Sequence, residues 1–203
     1  AGAAGADLVF APSVATMYPD GFQTFVEPGA VSARWEGAHR PDHFRGVATI
    51  VLKLLTIVIP DAAYFGRKDY QQSVVVRRMV HDLELPGEIR VLPTVREADG
   101  LALRSRNAYL SDVERRQALV LSASLRAAVD AFRSGQRTTA DLLKCMQACF
   151  AAEPAVVVDY TAVVDPQTLE PVDEAEPTSV AIVAARVGST RLIDNCVLGH
   201  GLP

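Results

Sequence analysis

Ala62-Ala-Tyr-Phe-Gly-Arg-Lys-Asp-Tyr-Gln-Gln72 is the stretch of sequence that decides the fold. The short apolar run Ala62–Phe65 predicts a buried strand, and the apolar residues between Tyr70 and Leu83 recur at helical spacing. Glu88–Leu92 predicts a second strand. Because a strand, a helix and a strand in succession form a crossover unit, we expect a parallel sheet of the α/β class.

Upstream of this unit the sequence predicts two further strands and one apolar helix. Asp7–Pro12 is typical of a short buried strand, and Gln23–Val26 of a second one. The apolar run Val47–Ile59, at about 13 residues, is shorter than the roughly 20 needed to span a bilayer, so we expect a buried core helix. Glu36–Phe44 is polar and predicts a loop before it. Three residues form a polar stripe on the helix at helical spacing: Thr49, Lys53 and Thr56.

Downstream of Arg96 the pattern changes to a polar loop, two helices and three strands. Ser111-Asp-Val-Glu114 is a capping box, and the long helix that it opens is expected to stop at Gly135. A second helix is predicted near residues 140–152. The strand candidates are Val156–Val164, Ser179–Val187 and Thr190–Val197. We therefore predict two domains, residues 1–95 with the parallel sheet and a smaller α+β domain at residues 96–203.

The composition excludes several classes of protein. A hydrophobic fraction of 49% and a charged fraction of 22% suit a globular protein. A net charge of −4, without basic runs, predicts neither a nucleic-acid partner nor a membrane partner. The three cysteines are an odd number without zinc-type spacing, which favours reduced thiols in a cytoplasm. Pro41 lies between His39 and His43, so these two do not predict a metal site on a helix.

The first candidate site lies at the carboxyl end of the predicted strand, where open α/β sheets bind ligands. Gly66 allows a ligand close to the backbone, and Lys68 offers a compact charge to a phosphate. Asp69 can accept hydrogen bonds from ribose hydroxyls, and Gln72 can bind a carboxylate. The alternative is an ordinary helix start, in which Asp69 is the N-cap residue and Lys68 is solvated.

Two further segments carry cations without deciding their role. Arg104-Ser-Arg106, in a glycine-containing loop at the predicted domain junction, suits a mobile clamp on a polyphosphate. The alternative is an exposed basic loop. Arg40 lies in a polar segment beside the apolar helix and can hold a carboxylate with two hydrogen bonds, although a plain connecting loop explains that segment equally well.

Taken in order, these segments resemble the pantothenate synthetase family over nearly the whole chain. The motifs that carry the resemblance are Ala11-Pro-Ser13 followed by Met17-Tyr-Pro-Asp-Gly21, Glu36-Gly37 with Arg40-Pro-Asp-His-Phe-Arg-Gly-Val47, Phe65-Gly-Arg-Lys-Asp-Tyr-Gln-Gln72, Pro93-Thr-Val-Arg-Glu-Ala-Asp-Gly100, Ser105-Arg-Asn-Ala-Tyr109 and Arg191-Leu-Ile-Asp-Asn195. The resemblance implies a Rossmann-like nucleotidyltransferase domain, of which this chain has part, and a C-terminal lid domain. It also implies a cytoplasmic, homodimeric ligase that uses ATP and Mg²⁺ to join pantoate to β-alanine through pantoyl adenylate.

The resemblance assigns roles to individual residues. Lys68, Ser105 and Arg106 are implied as the catalytic residues that contact the ATP phosphates. Gly66 and Asp69 are implied at the ribose, and the backbone near Val95 at the adenine. Arg40 and Gln72 are implied as the residues that bind the small substrates.

The chain also departs from the family pattern. Arg67 replaces the usual Glu, and Arg104 the first of two usual serines. The family's paired histidines are expected in a segment before Ala1, since no His-x-x-His occurs in the sequence. We therefore expect little ligase activity from this chain alone. Two alternatives stay open: a non-catalytic remnant that binds nucleotide or a partner chain, and an adenylate-forming nucleotidyltransferase that uses another acid.

Overall fold

A computed structural model describes residues 1–202 and contains an α/β part followed by an α+β part. The helices are α1 (Val14–Met17), α2 (Glu36–His39), α3 (His43–Val58), α4 (Tyr70–Asp82), α5 (Asp112–Arg133) and α6 (Thr139–Ala151). The strands are β1 (Ala62–Gly66), β2 (Glu88–Leu92), β3 (Val156–Val164), β4 (Val180–Val187) and β5 (Thr190–Val197). Short 3₁₀ turns cover Arg67–Asp69 and Ser105–Tyr109.

The strand–helix–strand unit that decides the fold is confirmed. β1 and β2 pair in parallel, with Ala62 opposite Glu88 and Gly66 opposite Leu92, and α4 connects them. α4 packs on α3 through a small apolar cluster of Phe44, Ala48, Val75 and Met79. This packing directs the start of α4 towards the carboxyl end of β1, the edge of the sheet at which a ligand is expected.

The second part is an antiparallel sheet covered by two helices, as predicted. Its strand order is β3-β4-β5, and α5 and α6 contribute most of the core beside it. The predicted capping box is present, because Ser111 Oγ accepts from the Glu114 N–H and Glu114 accepts from the Ser111 N–H at 2.9 Å. α5 ends just before Gly135, whose φ of 102° lets the chain turn away without side-chain strain.

The two strands predicted near the N-terminus are wrong. Asp7–Pro12 and Gln23–Val26 have no strand structure, and Leu8 is 86% exposed instead of buried. A strand needs a neighbour that satisfies its backbone groups, and within residues 1–202 no strand pairs with these segments. Apolar composition alone therefore overstated both the strand and its burial.

The prediction for residues 36–59 needs two corrections. The expected loop contains α2 and the start of α3, and Asp42, with a φ of 61°, makes the turn between them. The helix is also less buried than expected, because Ile57 and Val58 in its last turn are 52% and 53% exposed. None of the helices in the described range is long and apolar enough to cross a bilayer.

The polar stripe on α3 holds the segment that lacks secondary structure. Thr49 Oγ1 accepts from the Val26 N–H at 3.0 Å and donates to the Arg45 carbonyl at 2.7 Å. One turn along, Lys53 Nζ donates to the Met17 carbonyl and lies 4.4 Å from the centre of the Phe22 ring. Residues 17–26 are thus fixed by hydrogen bonds and a cation–π contact rather than by a sheet.

The two parts of the chain meet over a mixed interface. Val74 on α4 packs against buried residues of the antiparallel sheet, including Val164 and Ile182. At its rim, Trp35 Nε1 donates to the Leu169 carbonyl at 2.8 Å. The division into residues 1–95 and 96–203 stays a prediction.

Candidate functional site

A cleft of about 890 Å³ opens between the start of α4, the α2–α3 turn and the edge strand β5. Six of the eight predicted site residues line it: Arg40, Lys68, Asp69, Gln72, Ser105 and Arg106. They come from three separate stretches of sequence, and the fold brings them to one side of the sheet edge. Arg104 and Arg191 add further guanidinium groups to the lining of this cleft.

The turn after β1 carries Lys68 into the cleft. Its ammonium group lies 3.1 Å from an oxygen of the Asp69 carboxylate, and the Lys68 side chain is largely buried. Asp69 occupies the N-cap position of α4, but its side chain makes no capping hydrogen bond. Both side chains line the cleft, where a phosphate can displace the Asp69 carboxylate from Lys68 or share the Lys68 ammonium group with it.

The loop after residue 103 supplies further cations to the cleft. Ser105 and Arg106 are exposed, whereas Arg104 is half-buried and its Nη1 atom has no hydrogen-bond partner within residues 1–202. Burial, followed by the neighbouring charge of Arg106, lowers the pKa of the Arg104 guanidinium. Both effects mean that an anion in the cleft would be favourable.

A hydrogen-bond network anchors this loop. Asn107 Nδ2 donates to Glu97 Oε1 at 2.6 Å and to the Ala102 carbonyl at 3.0 Å. Arg115 on α5 pairs with Glu97 and, at 2.7 Å, with Asp99. The residues before and after the cations are thus fixed while Ser105 and Arg106 themselves stay accessible.

The third wall presents groups suited to a carboxylate. Arg40 Nη1 lies 3.0 Å from His43 Nε2, and Gln72 lies on the first turn of α4 facing the same space. Burial, followed by the charge of Arg40, lowers the pKa of His43, so the neutral imidazole accepts a hydrogen bond from the guanidinium. Arg40 keeps its remaining N–H groups for a ligand.

Beside the cleft lies a group of paired charges that we name the seam: Glu36, Asp159, Tyr160 and Arg191. Arg191 donates to Glu36 at 2.7 Å and to Asp159 at 2.6 Å, and the Tyr160 hydroxyl donates to Glu36 at 2.9 Å. Burial raises the pKa of the Glu36 carboxyl, but the hydrogen bond and charge of Arg191 outweigh it and leave the pKa below its usual value. The seam joins α2 to the antiparallel sheet.

Two of the predicted residues are not brought to the cleft. Val95 does not line it, and its carbonyl already accepts from the Leu103 N–H at 2.9 Å. Gly66 does not line it either, and a side chain there would meet nothing within 4 Å in the described structure. The assignments of Gly66 to the ribose and of Val95 to the adenine stay predictions.

The carboxylates of the cleft do not form a metal cage. In residues 1–202 no group of three or more His, Cys, Asp or Glu side chains is placed to hold an ion. Asp69 is already paired with Lys68, and Glu36 with Arg191. A resident divalent cation is therefore not what these residues fit.

The sequence profile of the family described as Pantoate-beta-alanine ligase matches residues 1–197. The chain belongs to the pantoate–β-alanine ligase family. It is 53% identical over 192 residues to the pantothenate synthetase of Roseiflexus castenholzii, covering 95% of this chain and 69% of that protein. It is 55% identical over 196 residues to that of Acidobacterium capsulatum, covering 97% of this chain and 66% of that protein.

Solved structures of the family show the same fold. The pantothenate synthetase of Thermus thermophilus superposes with a TM-score of 0.93 at 48% identity, covering 100% of this chain and 72% of that one. The pantoate–β-alanine ligase of Francisella tularensis, complexed with "Beta-gamma ATP" and β-alanine, gives 0.68 at 30% identity, covering 91% of this chain and 62% of that one. These likenesses confirm the expected fold class.

The residues that connect the two parts of this pantoate–β-alanine ligase were not predicted from its sequence. Glu36 and Arg191 both stand in motifs that carried the resemblance, but neither received a role. Asp159 and Tyr160 lie in an ordinary strand pattern, and nothing in the local sequence marks them. Membership of a family motif was therefore the only sequence feature that could have identified seam residues, and it applies to Glu36 and Arg191 alone.

Proposed function

We propose that this cleft joins pantoate to β-alanine at the expense of ATP. In the first step a carboxylate oxygen of pantoate attacks the α-phosphorus of ATP, the bond to the bridging oxygen breaks, and pyrophosphate leaves. In the second step the neutral amine of β-alanine attacks the acyl carbon of the resulting pantoyl adenylate. AMP leaves, and the amine nitrogen loses a proton as the amide forms.

The observation that carries this proposal is the convergence of cations from separate segments on one cleft. Lys68 and Arg106 come from different segments but line the same cleft, so both can contact one chain of phosphates, and Ser105 adds a hydroxyl donor. Arg104, which the family pattern lacks, adds a half-buried guanidinium. Such groups neutralise the charge that accumulates on the departing pyrophosphate, and they favour that step most.

Arg40 and Gln72 bind the pantoate end in this proposal. A guanidinium holds a carboxylate by paired hydrogen bonds, and a glutamine side chain can donate to that carboxylate or accept from a hydroxyl. Both residues line the cleft together with Lys68. Positioning the carboxylate near the α-phosphate supplies much of the rate enhancement of such a reaction.

Mg²⁺ enters this proposal as part of the substrate. The described residues form no cage for a metal ion, whereas Mg²⁺ binds readily to nucleotide phosphates and keeps several waters. We therefore write the nucleotide as Mg–ATP and assign no residue as a metal ligand. The cytoplasmic location and the homodimer implied by the resemblance also stay predictions; light scattering on the purified chain tests the dimer.

Nucleotide binding tests the proposal directly on the 203-residue chain. Calorimetry should show submillimolar ATP binding, and Lys68→Ala should weaken it about 10- to 100-fold, the value of one or two hydrogen bonds to a charged group. Pantoate should strengthen ATP binding, and unrelated short acids should not. Equal strengthening by other acids would favour a different nucleotidyltransferase, and absent or millimolar ATP binding would favour a non-catalytic remnant.

Turnover is a separate measurement. Because the sequence contains no His-x-x-His pair, we expect pantoate-dependent exchange of pyrophosphate into ATP to be weak even where ATP binds. Robust pantothenate formation by the purified chain would contradict the expectation of low activity while supporting the proposed reaction.

A further inference from the structure

The motif Arg191-Leu-Ile-Asp-Asn195 contains two polar residues for which the proposed chemistry has no role. Asp194 is 5% exposed and Asn195 is 4% exposed, and both lie on β5, an edge strand of the antiparallel sheet. Polar side chains buried this deeply are held by specific hydrogen bonds. Their partners lie in the two segments that bring cations to the cleft.

Asn195 holds the turn that carries Lys68. Its Nδ2 atom donates to the Arg67 carbonyl at 3.0 Å and to the Lys68 carbonyl at 2.9 Å. These two bonds orient the side-chain amide, because only the NH₂ group can donate. They also satisfy two consecutive carbonyls and so fix the backbone from which the Lys68 side chain extends.

Asp194 holds the base of the loop that carries Arg106. Its carboxylate accepts two hydrogen bonds from Arg96, at 2.7 and 3.1 Å, and both side chains are almost fully buried. Arg96 Nη1 also donates to the Gly100 carbonyl at 3.1 Å. Through Arg96, the carboxylate therefore fixes the backbone around Gly100, and the chain continues from there to residues 104–106 in the cleft.

The strand geometry explains how neighbouring residues reach both segments. Successive side chains of a strand point to opposite faces of the sheet. Cys196 and Leu192, on the same face as Asp194, pack in the core beside α5, whereas Ile193, on the same face as Asn195, lines the cleft. One dipeptide on an edge strand thus contacts both phosphate-binding segments, one from each face.

We propose that Asp194 and Asn195 are positioning residues that set the separation between Lys68 and Arg106. This inference rests on the proposed function, since it takes both cations to be phosphate ligands. A rigid separation lets one polyphosphate meet the two charges without reorganising the cleft. The seam residue Arg191 lies on the same strand, but it binds carboxylates and does not hold the segment of Lys68 or that of Arg106.

The test measures binding of ATP and of tripolyphosphate by calorimetry. Asn195→Ala should weaken both about 10-fold, the usual size of an effect transmitted through a supporting contact. In the Lys68→Ala background the same substitution should change affinity by a factor near one, because the group that it positions is gone. Cys196→Ala is the matched control: it removes a buried side chain from the same strand and should leave affinity unchanged.

The Asp194 half is tested without leaving a buried charge unpaired. The double substitution Arg96→Met, Asp194→Leu removes both members of the pair, so neither charge is left buried without its partner. It should weaken tripolyphosphate binding about 10-fold, and not at all when Arg106→Ala is already present. Hydrogen exchange provides the second measurement: Asn195→Ala should speed exchange of the amides of residues 67–72, and Cys196→Ala should not.

The outcomes separate this inference from the proposed function. If the unmodified chain binds neither ATP nor tripolyphosphate, the proposed function and the positioning role both fall. If it binds them and the effects of Asn195→Ala and Lys68→Ala simply add, or the exchange of residues 67–72 is unchanged, the positioning role alone is overturned. Effects that disappear in the Lys68→Ala and Arg106→Ala backgrounds support it.

Discussion

The seam and the cleft are both rich in arginine, but they use it differently. In the seam, Arg191 meets two carboxylates at hydrogen-bond distance. In the cleft, Arg104 and Arg106 form no ion pair within the described range, and Arg104 has a buried nitrogen without a partner. Arg191 has its counterions within the chain, whereas Arg104 and Arg106 have no ion-pair partner in residues 1–202. This difference indicates that Arg104 and Arg106, and not Arg191, are available to an anion from solution.

The largest effect expected is that of breaking the seam. Arg191→Ala leaves Glu36 and Asp159 without their main cation, so the free energy of unfolding should fall by about 3–5 kcal/mol. Urea denaturation measures it. Arg186→Ala is the matched control, because Arg186 also contacts Asp159, at 3.3 Å, but its side chain is 59% exposed. That control should lose at most about 1 kcal/mol, and equal losses would show that burial does not matter here.

Next in size is the effect of removing a cleft cation. Arg104→Ser should weaken tripolyphosphate binding about 10-fold, since it removes a charge-assisted hydrogen bond. Stability should not fall, because the substitution also removes a half-buried charge that lacks a partner in the described structure. Calorimetry and denaturation measure the two quantities. The control is Arg77→Ser, at an exposed position on α4, which should change neither quantity. If Arg104→Ser lowered the stability without weakening tripolyphosphate binding, the contrast between the seam and cleft arginines would be wrong.

Acid should weaken the seam. Although burial raises them, the pKa values of Glu36 and Asp159 lie below their usual range because Arg191 binds both carboxylates. A lowered pKa contributes stability that is present above the unfolded-state value and is lost as pH falls through the folded-state value. The free energy of unfolding should therefore decrease from about pH 5 downwards. Glu36→Gln should flatten that decrease, and an unchanged slope would exclude Glu36 as a source.

The smallest effect is expected outside both regions. Arg78 and Asp82 form an exposed ion pair at 2.7 Å, one turn apart on α4. Arg78→Ala should leave the free energy of unfolding almost unchanged, because solvent screens an exposed ion pair, and roughly 1 M salt should abolish any difference. A larger loss would mean that pairing alone, without burial, stabilises this protein.

Most of the helices and strands, and several residues that line the cleft, could be predicted from the sequence. β2 and β5 have the predicted bounds, because alternating apolar residues and flanking turns are local signals. Lys68, Arg40 and Arg106 were found because each stands in a polar motif at the end of an element. Such signals need no knowledge of the partner segment.

What the sequence did not predict depends on contacts between distant segments. Leu8 is exposed although its surroundings are typical of a strand, since strand formation requires a neighbour that local pattern does not reveal. Glu36 was expected in a loop and is buried against Arg191, 155 positions away. Asn195 has its function, as proposed, only through the two carbonyls that it meets across the interface.

The polar stripe on α3 has a consequence for how the early part of the chain is protected. Residues 18–26 form no helix or strand, and Lys53 and Thr49 bind the backbone at the two ends of this segment, at Met17 and Val26. Chymotrypsin should therefore cut readily at Leu8 or Phe10, both exposed, and slowly at Phe22. Two side chains on one helix thus set where protease resistance begins, a boundary that neither hydrophobicity nor a sheet defines.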